Sequence, residues 1–122
     1  MNSTQLKQDL SRFTETENYW KVRFHKIKYT DGVKFLHENA ECYWLIDLIG
    51  SAQNLKSIVD YLKKDYFQCI ELKVLDNVGT FEITDGNSNI LYATLILELT
   101  DFPLDEIKLY LVDGVLMLRS EY

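Results

Sequence analysis

The sequence predicts an α+β fold, in which N-terminal helices pack on one face of an antiparallel sheet of about five strands. Apolar residues recur at helical spacing in the first half of the chain and alternate with polar residues from residue 67 onward. The alternating segments are joined by connections too short for crossover helices, which favours antiparallel pairing. The change of period therefore separates a helical part from a sheet part.

The helical part contains amphipathic segments with plausible capping residues. Ser3 or Thr4 can cap a first helix, and Thr30 or Asp31 can cap a second. The inward stripes of these segments hold, in chain order, Leu6, Leu10, Phe13, Val33, Leu36, His37, Ala40, Leu55, Ile58, Val59 and Leu62.

The run 42–50 is apolar nearly all round and predicts a buried central helix, which Gly50 ends or bends. Its expected core residues are Trp44, Leu45, Ile46 and Ile49. Cys42 shares a stripe with Leu45, Ile46 and Ile49, so we interpret it as a core thiol. A set of His37, Cys42 and Asp47 is nevertheless the sharpest catalytic constellation in the chain. Asp47 has little polar face around it, so a buried ion pair with His37 or with a basic residue of 21–28 is expected. His37 and Asp47 are thus a candidate buried polar site, with a structural role favoured over catalysis.

The stretch 19–34 is the basic part of an acidic chain. Five cations against one carboxylate give it a net charge of +4, so the remainder of a chain of formal charge −6 carries −10. Interleaved aromatic residues resemble a single-strand nucleic-acid platform, whose candidate contacts are Lys21, Arg23, Lys26 and Lys28. The overall negative charge repels phosphate, so nucleic acid is an unlikely partner and a solvated edge is favoured. The opening alternation suits an edge strand, but a loop or a short helix stays open.

The sheet part begins with two alternating segments, which hold Ile70, Leu72, Val74, Phe81 and Ile83. The longest alternating run contains Leu91, Ala93, Leu95, Leu97 and Leu99 and predicts the central strand. Residues 77–79 and 85–89 carry turn chemistry. Asp85, Asn87 and Asn89 match the opening of a calcium loop, but the later positions do not, so a plain hairpin loop is favoured.

Asp113-Gly114 predicts a two-residue hairpin with Val112 opposite Val115. One face then presents Ile107, Leu109, Leu111, Leu116 and Leu118 to the core. The other face is half apolar, and we interpret Tyr110, Val112, Val115 and Met117 as a candidate protein interface, most simply in a homodimer. The C-terminal strand is also a plausible sheet edge. The competing interpretation is that the first helix folds back over this face.

Composition and motifs predict one domain, residues 1–122, in the cytoplasm. The chain has no apolar run long enough for a membrane span and no signal-peptide pattern, and Cys42 and Cys69 read as reduced thiols. Zinc spacing, phosphate loops and hydrolase motifs are missing from the sequence, so we expect neither metal nor cofactor.

Three segments, "YTDGVKFL" at 29–36, "CYWLIDLIGSAQ" at 42–53 and "TDFPLDEIKLYLVDGVLMLRSEY" at 100–122, resemble a family of small bacterial proteins known only as a domain of unknown function. In that family the last segment tends to read Leu-Pro-Ser-Glu-Tyr, and Arg119 takes the proline place here. The resemblance implies a short domain that usually stands alone, with no assigned activity.

These observations rank three functions. A non-catalytic protein-interaction or regulatory module comes first, and a nucleic-acid accessory protein that uses the stretch 19–34 comes second. An enzyme with an unrecognised site near Asp47 comes third.

Overall fold

The computed structural model describes residues 2–122, apart from the side chains of residues 93 and 94. The predicted inward position of Ala93 therefore lies outside the described residues. The helices are α1 (Ser3–Ser11), α2 (Asp31–Ala40), α3 (Tyr43–Ala52) and α4 (Lys56–Leu62). The strands are β1 (Tyr19–Lys21), β2 (Lys28–Thr30), β3 (Phe67–Leu75), β4 (Val78–Thr84), β5 (Ile90–Leu97), β6 (Glu106–Val112) and β7 (Val115–Leu118). A 3-10 turn, Arg119–Glu121, follows β7.

The α+β class is confirmed, but the prediction of about five antiparallel strands is wrong in size and in kind. Within residues 2–122 the sheet has seven strands in the order β1-β2-β7-β6-β3-β4-β5. The basic stretch supplies two of these strands: β1 is the edge strand that the sequence left open, and β2 was not predicted. β2 pairs in parallel with β7, Lys28 opposite Val115 and Tyr29 opposite Leu116. The pairing of β2 with β7, which lie far apart in the sequence, leaves no local signature. The alternation in 19–25 could not distinguish a strand from a loop, because only Tyr19–Lys21 forms a strand, which pairs with β2, and the rest forms a loop.

The order of the strands also reverses two expectations about edges. The run that was expected to be central, β5, is an edge strand that pairs with β4, and its Ile90 and Ile96 are exposed. The last strand, β7, is not an edge because it lies between β6 and β2. Apolar content marks a strand that packs well but does not say which neighbours it pairs with.

The core lies between the inner face of the sheet and the helices. Leu109, Leu111, Leu116 and Leu118 of the C-terminal hairpin point into it as predicted, while Ile107 is half-buried. Of the four core residues expected in α3, Leu45, Ile46 and Ile49 are buried, but Trp44 is half-buried and packs edge-on against Phe102.

The ends of the helices differ from the expectations in two places. The first helix is capped by Asn2 rather than by Ser3 or Thr4, since Asn2 Oδ1 accepts from the Gln5 N–H at 2.8 Å. Gly50 lies inside α3 and does not end it. Its missing side chain instead makes room for the ring of His25, whose Cδ2 would lie 2.6 Å from an added Cβ. No helix in residues 2–122 is long and apolar enough to cross a membrane.

The start of α2 is held by a carboxylate from the far end of the chain. Thr30 caps the helix, as predicted, by accepting from the Val33 N–H. Its hydroxyl donates to Glu121 Oε1 at 2.6 Å, and that oxygen also accepts from the Leu118 N–H at 2.9 Å. Glu121 Oε2 accepts from the Gly32 N–H at 3.3 Å, so one carboxylate joins the end of β7 to the N-terminus of α2.

We expect the Glu121→Ala substitution to lower the free energy of unfolding by about 2 kcal/mol, because it removes charge-assisted hydrogen bonds at a helix N-terminus. Urea denaturation of the two proteins measures the difference. Glu106→Ala is the control, because Glu106 is an exposed carboxylate at the start of β6. Equal losses in the two variants would contradict the capping role.

Candidate functional site

The predicted hairpin is confirmed, and its outer face is part of a larger apolar cluster. Val112 pairs with Val115, and Asp113 and Gly114 have φ values of 50° and 79°. On the other side Val112 pairs with Phe67 of β3, and Tyr110 lies between Met117 and Cys69. Because these residues alternate with the core residues, they share the sheet face turned away from the helices. We call this half-buried cluster the outer patch: Phe67, Cys69, Tyr110, Val112, Val115 and Met117.

The C-terminal residue folds back onto the outer patch. The 3-10 turn after β7 brings the ring of Tyr122 to 5.5 Å from the Phe67 ring and 5.2 Å from the Tyr110 ring. Phe67 and Tyr110 are themselves 5.0 Å apart. Tyr122 is 69% exposed, so it covers part of Phe67 and Tyr110 and adds its own exposed ring to the patch. Sequence reasoning missed Phe67 and Cys69 because only the pairing of β3 with β6 places them there, and it missed Tyr122 because the 3-10 turn after β7 was not predicted.

A row of charges borders the outer patch along the next register of the strands. Glu71 pairs with Lys108 across β3 and β6. Its carboxylate lies 3.4 Å from the Lys108 ammonium and 3.1 Å from the Lys73 ammonium. The border therefore carries both signs of charge.

The first helix does not cover the outer patch, so that competing interpretation is wrong. Leu6 and Leu10 of α1 are buried in the same core as the inward residues of the hairpin. Phe13 packs against Phe35 of α2 at 5.3 Å. The amphipathic stripe of α1 is thus used on the opposite side of the sheet.

The basic stretch forms β1, a loop and β2, and its four candidate cations are all exposed. Two of its four aromatic residues, Trp20 and Tyr29, are engaged within the protein. Trp20 donates from Nε1 to Asp31 Oδ1 at 3.1 Å and carries the Lys34 ammonium 4.8 Å above its ring, while Tyr29 is buried. The Trp20 hydrogen bond, followed by that from the Glu17 N–H, lowers the pKa of Asp31. Phe24 stands out as 87% exposed, with the Arg23 guanidinium 4.9 Å from its ring.

The structure does not bring His37, Cys42 and Asp47 together as an active site. Asp47 is an exposed carboxylate, not a buried one, because it projects from the side of α3 that faces away from the core. It bonds His25 Nε2 at 2.8 Å, so its partner comes from the 21–28 stretch and not from His37. Cys42 is buried as expected, and burial raises the pKa of its thiol to about 12.

His37 lies edge-on between the rings of Tyr29 and Tyr43, at 5.4 and 5.3 Å. Its Nε2 atom is buried, and the described residues provide it with no hydrogen-bond partner. Burial lowers the pKa of His37 below its ordinary value of 6.5. The imidazole therefore acts mainly as an aromatic core ring that carries one unsatisfied polar atom.

We expect the His37→Phe substitution to raise the free energy of unfolding at pH 7 by about 1 kcal/mol, because it removes a buried unsatisfied atom and keeps a ring. With a lowered pKa in the folded state, the unfolded chain binds the proton more readily. The wild type should therefore lose folding stability through His37 as the pH falls below about 6.5. Urea denaturation between pH 5 and 7.5 should show a gap that widens toward acid, and a constant gap would contradict the titration.

The calcium-like residues form a plain hairpin loop between β4 and β5. Asp85 uses its carboxylate within the loop, accepting from the Asn87 N–H at 2.8 Å and from Asn89 through both its backbone and side-chain nitrogens. No group of three or more metal-ligating side chains occurs in the part of the chain that is described.

Comparison with known proteins gives one match. Residues 4–122 match the family of unknown function DUF6876. No curated protein and no solved structure matches the chain. The match confirms the resemblance to a domain of unknown function and extends over nearly all of the sequence. The protein therefore belongs to the DUF6876 family.

Proposed function

We propose that this protein is a non-catalytic interaction or regulatory module that self-associates through the outer patch. The observation that carries the proposal is the joining of six apolar side chains from three adjacent strands into one cluster on the face away from the helices. Monomeric proteins seldom expose a contiguous apolar patch larger than a few hundred Å² without using it. Covering the patch would remove this apolar surface from water.

A second copy of the chain is the partner that the border charges favour. Lys73 and Lys108 flank Glu71 along one side of the patch. Two copies related by a two-fold axis can place the glutamate of one beside a lysine of the other, whereas a border of one sign would repel itself. The three-ring cluster with Tyr122 adds rigid aromatic surface, which is typical of interface centres.

We expect the Val112→Lys, Met117→Lys double variant to weaken self-association by about 100-fold or more, because two unpaired ammonium groups would be buried in the contact. Sedimentation velocity over a range of concentrations should show a dimeric wild type and a monomeric variant. Both positions lie on the half-exposed outer face, so circular dichroism should show that the variant stays folded.

The Leu75→Lys, Leu99→Lys variant is the matched control. It adds the same charges at exposed apolar positions outside the patch and should remain dimeric. A wild type that is monomeric at high concentration would contradict the proposal. Equal dissociation of both variants would show that added charge, not the patch, sets the association.

Nucleic-acid binding by Lys21, Arg23, Lys26 and Lys28 stays a lower-ranked proposal. It has exposed cations in its favour, but Trp20 and Tyr29, two of the four interleaved aromatics, are engaged within the protein. Catalysis near Asp47 ranks last, since the His25–Asp47 pair lacks an adjacent nucleophile among the described contacts.

A further inference from the structure

A cavity of about 400 Å³ lies on the inner side of the sheet, at the turn end of the C-terminal hairpin. The loop between β1 and β2 forms one wall, and the end of α3 together with α4 forms the other. Its volume falls within the range of small-molecule sites. It lies on the opposite side of the sheet from the outer patch, so its use would be independent of the proposed self-association.

The floor of the cavity is a pair of side-chain amides. Gln53 Nε2 donates to Gln68 Oε1 at 3.0 Å, and Gln68 Nε2 donates to Gln53 Oε1 at 2.8 Å. Gln53 Nε2 also donates to the Ile49 carbonyl at 3.3 Å. This last contact shows which terminal atom of each amide is nitrogen. If oxygen and nitrogen were exchanged in both amides, the Gln53 amide oxygen would face the Ile49 carbonyl oxygen.

The amide pair leaves one donor unused. Each amide nitrogen carries two hydrogens. Gln53 Nε2 donates one to Gln68 Oε1 and the other to the Ile49 carbonyl. Gln68 is 1% exposed, and the described residues offer its nitrogen one acceptor, Gln53 Oε1. A buried N–H without an acceptor is costly, and because Gln68 lines the cavity, an oxygen of a molecule bound there would satisfy its second hydrogen.

The charges around the cavity favour an anion. Lys26 lines it and has no ion pair among the described residues. His25 also lines it, with its Nε2 bonded to Asp47. No carboxylate belongs to the described lining, although the chain as a whole has a formal charge of −6. A ligand oxygen that carries negative charge would therefore meet a favourable local field.

The mouth of the cavity exposes apolar side chains, and one of them sits in an unfavourable backbone conformation. Phe24 is 87% exposed and has a φ of 67°. Bulky residues rarely adopt positive φ. The other described non-glycine residues that do so are polar: Glu41, Asp76, Asn77, Ser88 and Asp113. Within the described residues the Arg23 guanidinium is the only ring contact of Phe24, so contact with a ligand at the cavity would account for its position.

We propose that this cavity binds an apolar carboxylate. The carboxylate accepts the unused N–H of Gln68 and faces the Lys26 ammonium, and the apolar body of the ligand lies against Phe24, Val59 and Leu62. A free acid and the C-terminal residue of an apolar peptide present the same chemistry, and the experiment separates these two sources.

The test is titration of the full-length ¹⁵N-labelled protein with 4-phenylbutyrate, and with 4-phenylbutan-1-ol as its neutral analogue. We expect the side-chain amide signals of Gln68 to shift with the acid, and the acid to bind at least about tenfold more tightly than the alcohol, a difference typical of one charge-assisted contact. An acetylated tetrapeptide ending in phenylalanine, with a free or an amidated C-terminus, forms the second arm. The carboxylate that binds more tightly, 4-phenylbutyrate or the tetrapeptide with a free C-terminus, identifies whether the ligand is a free acid or a peptide C-terminus.

Three variants at exposed residues, one of them a control, keep the test independent of folding. Lys26→Gln should weaken binding of the acid by about fivefold or more, whereas Lys64→Gln, an exposed lysine outside the cavity, should leave it unchanged. Phe24→Gly should weaken binding while leaving the melting temperature equal or higher, since glycine adopts positive φ without strain. The proposal would be overturned if neither carboxylate shifted the Gln68 amide signals at 10 mM. It would also be overturned if acid and alcohol bound equally, or if the two lysine variants had equal effects.

Discussion

The hydrogen bonds of the Glu121 carboxylate are the constraint on which much of this structure depends. The carboxylate accepts from Thr30 and Gly32 at the start of α2 and from Leu118 at the end of β7. An added Cβ at Gly32 would lie 2.5 Å from Glu121 Oε1, so a glycine is needed for the tail to approach the helix. The same contact holds β2 against β7, because β2 leads directly into the capped helix.

Anchoring the tail also connects the core to the outer patch. Tyr122 directly follows Glu121, and its ring completes the cluster with Phe67 and Tyr110. Because Glu121 is held at the N-terminus of α2, Tyr122 loses little further conformational freedom when a partner covers it. The order of the last residues therefore contributes both to stability and to a pre-organised apolar surface.

The two candidate binding regions lie back to back across the same pair of strands. Gln68 pairs with Leu111 and both line the inner cavity, while the adjacent pair of Phe67 with Val112 belongs to the outer patch. Alternation along β3 and β6 separates them completely, so a substitution on one face leaves the side chains of the other in place. The cavity and the outer patch thus lie on opposite faces of the sheet at the turn end of the C-terminal hairpin. Side chains on packed strands are held in place better than side chains on a loop.

The sequence by itself determined the local features of the protein. The α+β class, the Thr30 cap, the Asp113-Gly114 turn and the inward leucines of the hairpin follow from period and turn chemistry, which act over a few residues. The tertiary structure decided the rest. It placed β5 at an edge, made β7 an inner strand beside β2, exposed Asp47 on α3 and brought Phe67 and Cys69 to the outer patch. The physical reason is that strand order and helix rotation depend on which distant surfaces bury each other, and hydrogen-bonded pairing between remote segments leaves no periodic trace in either of them.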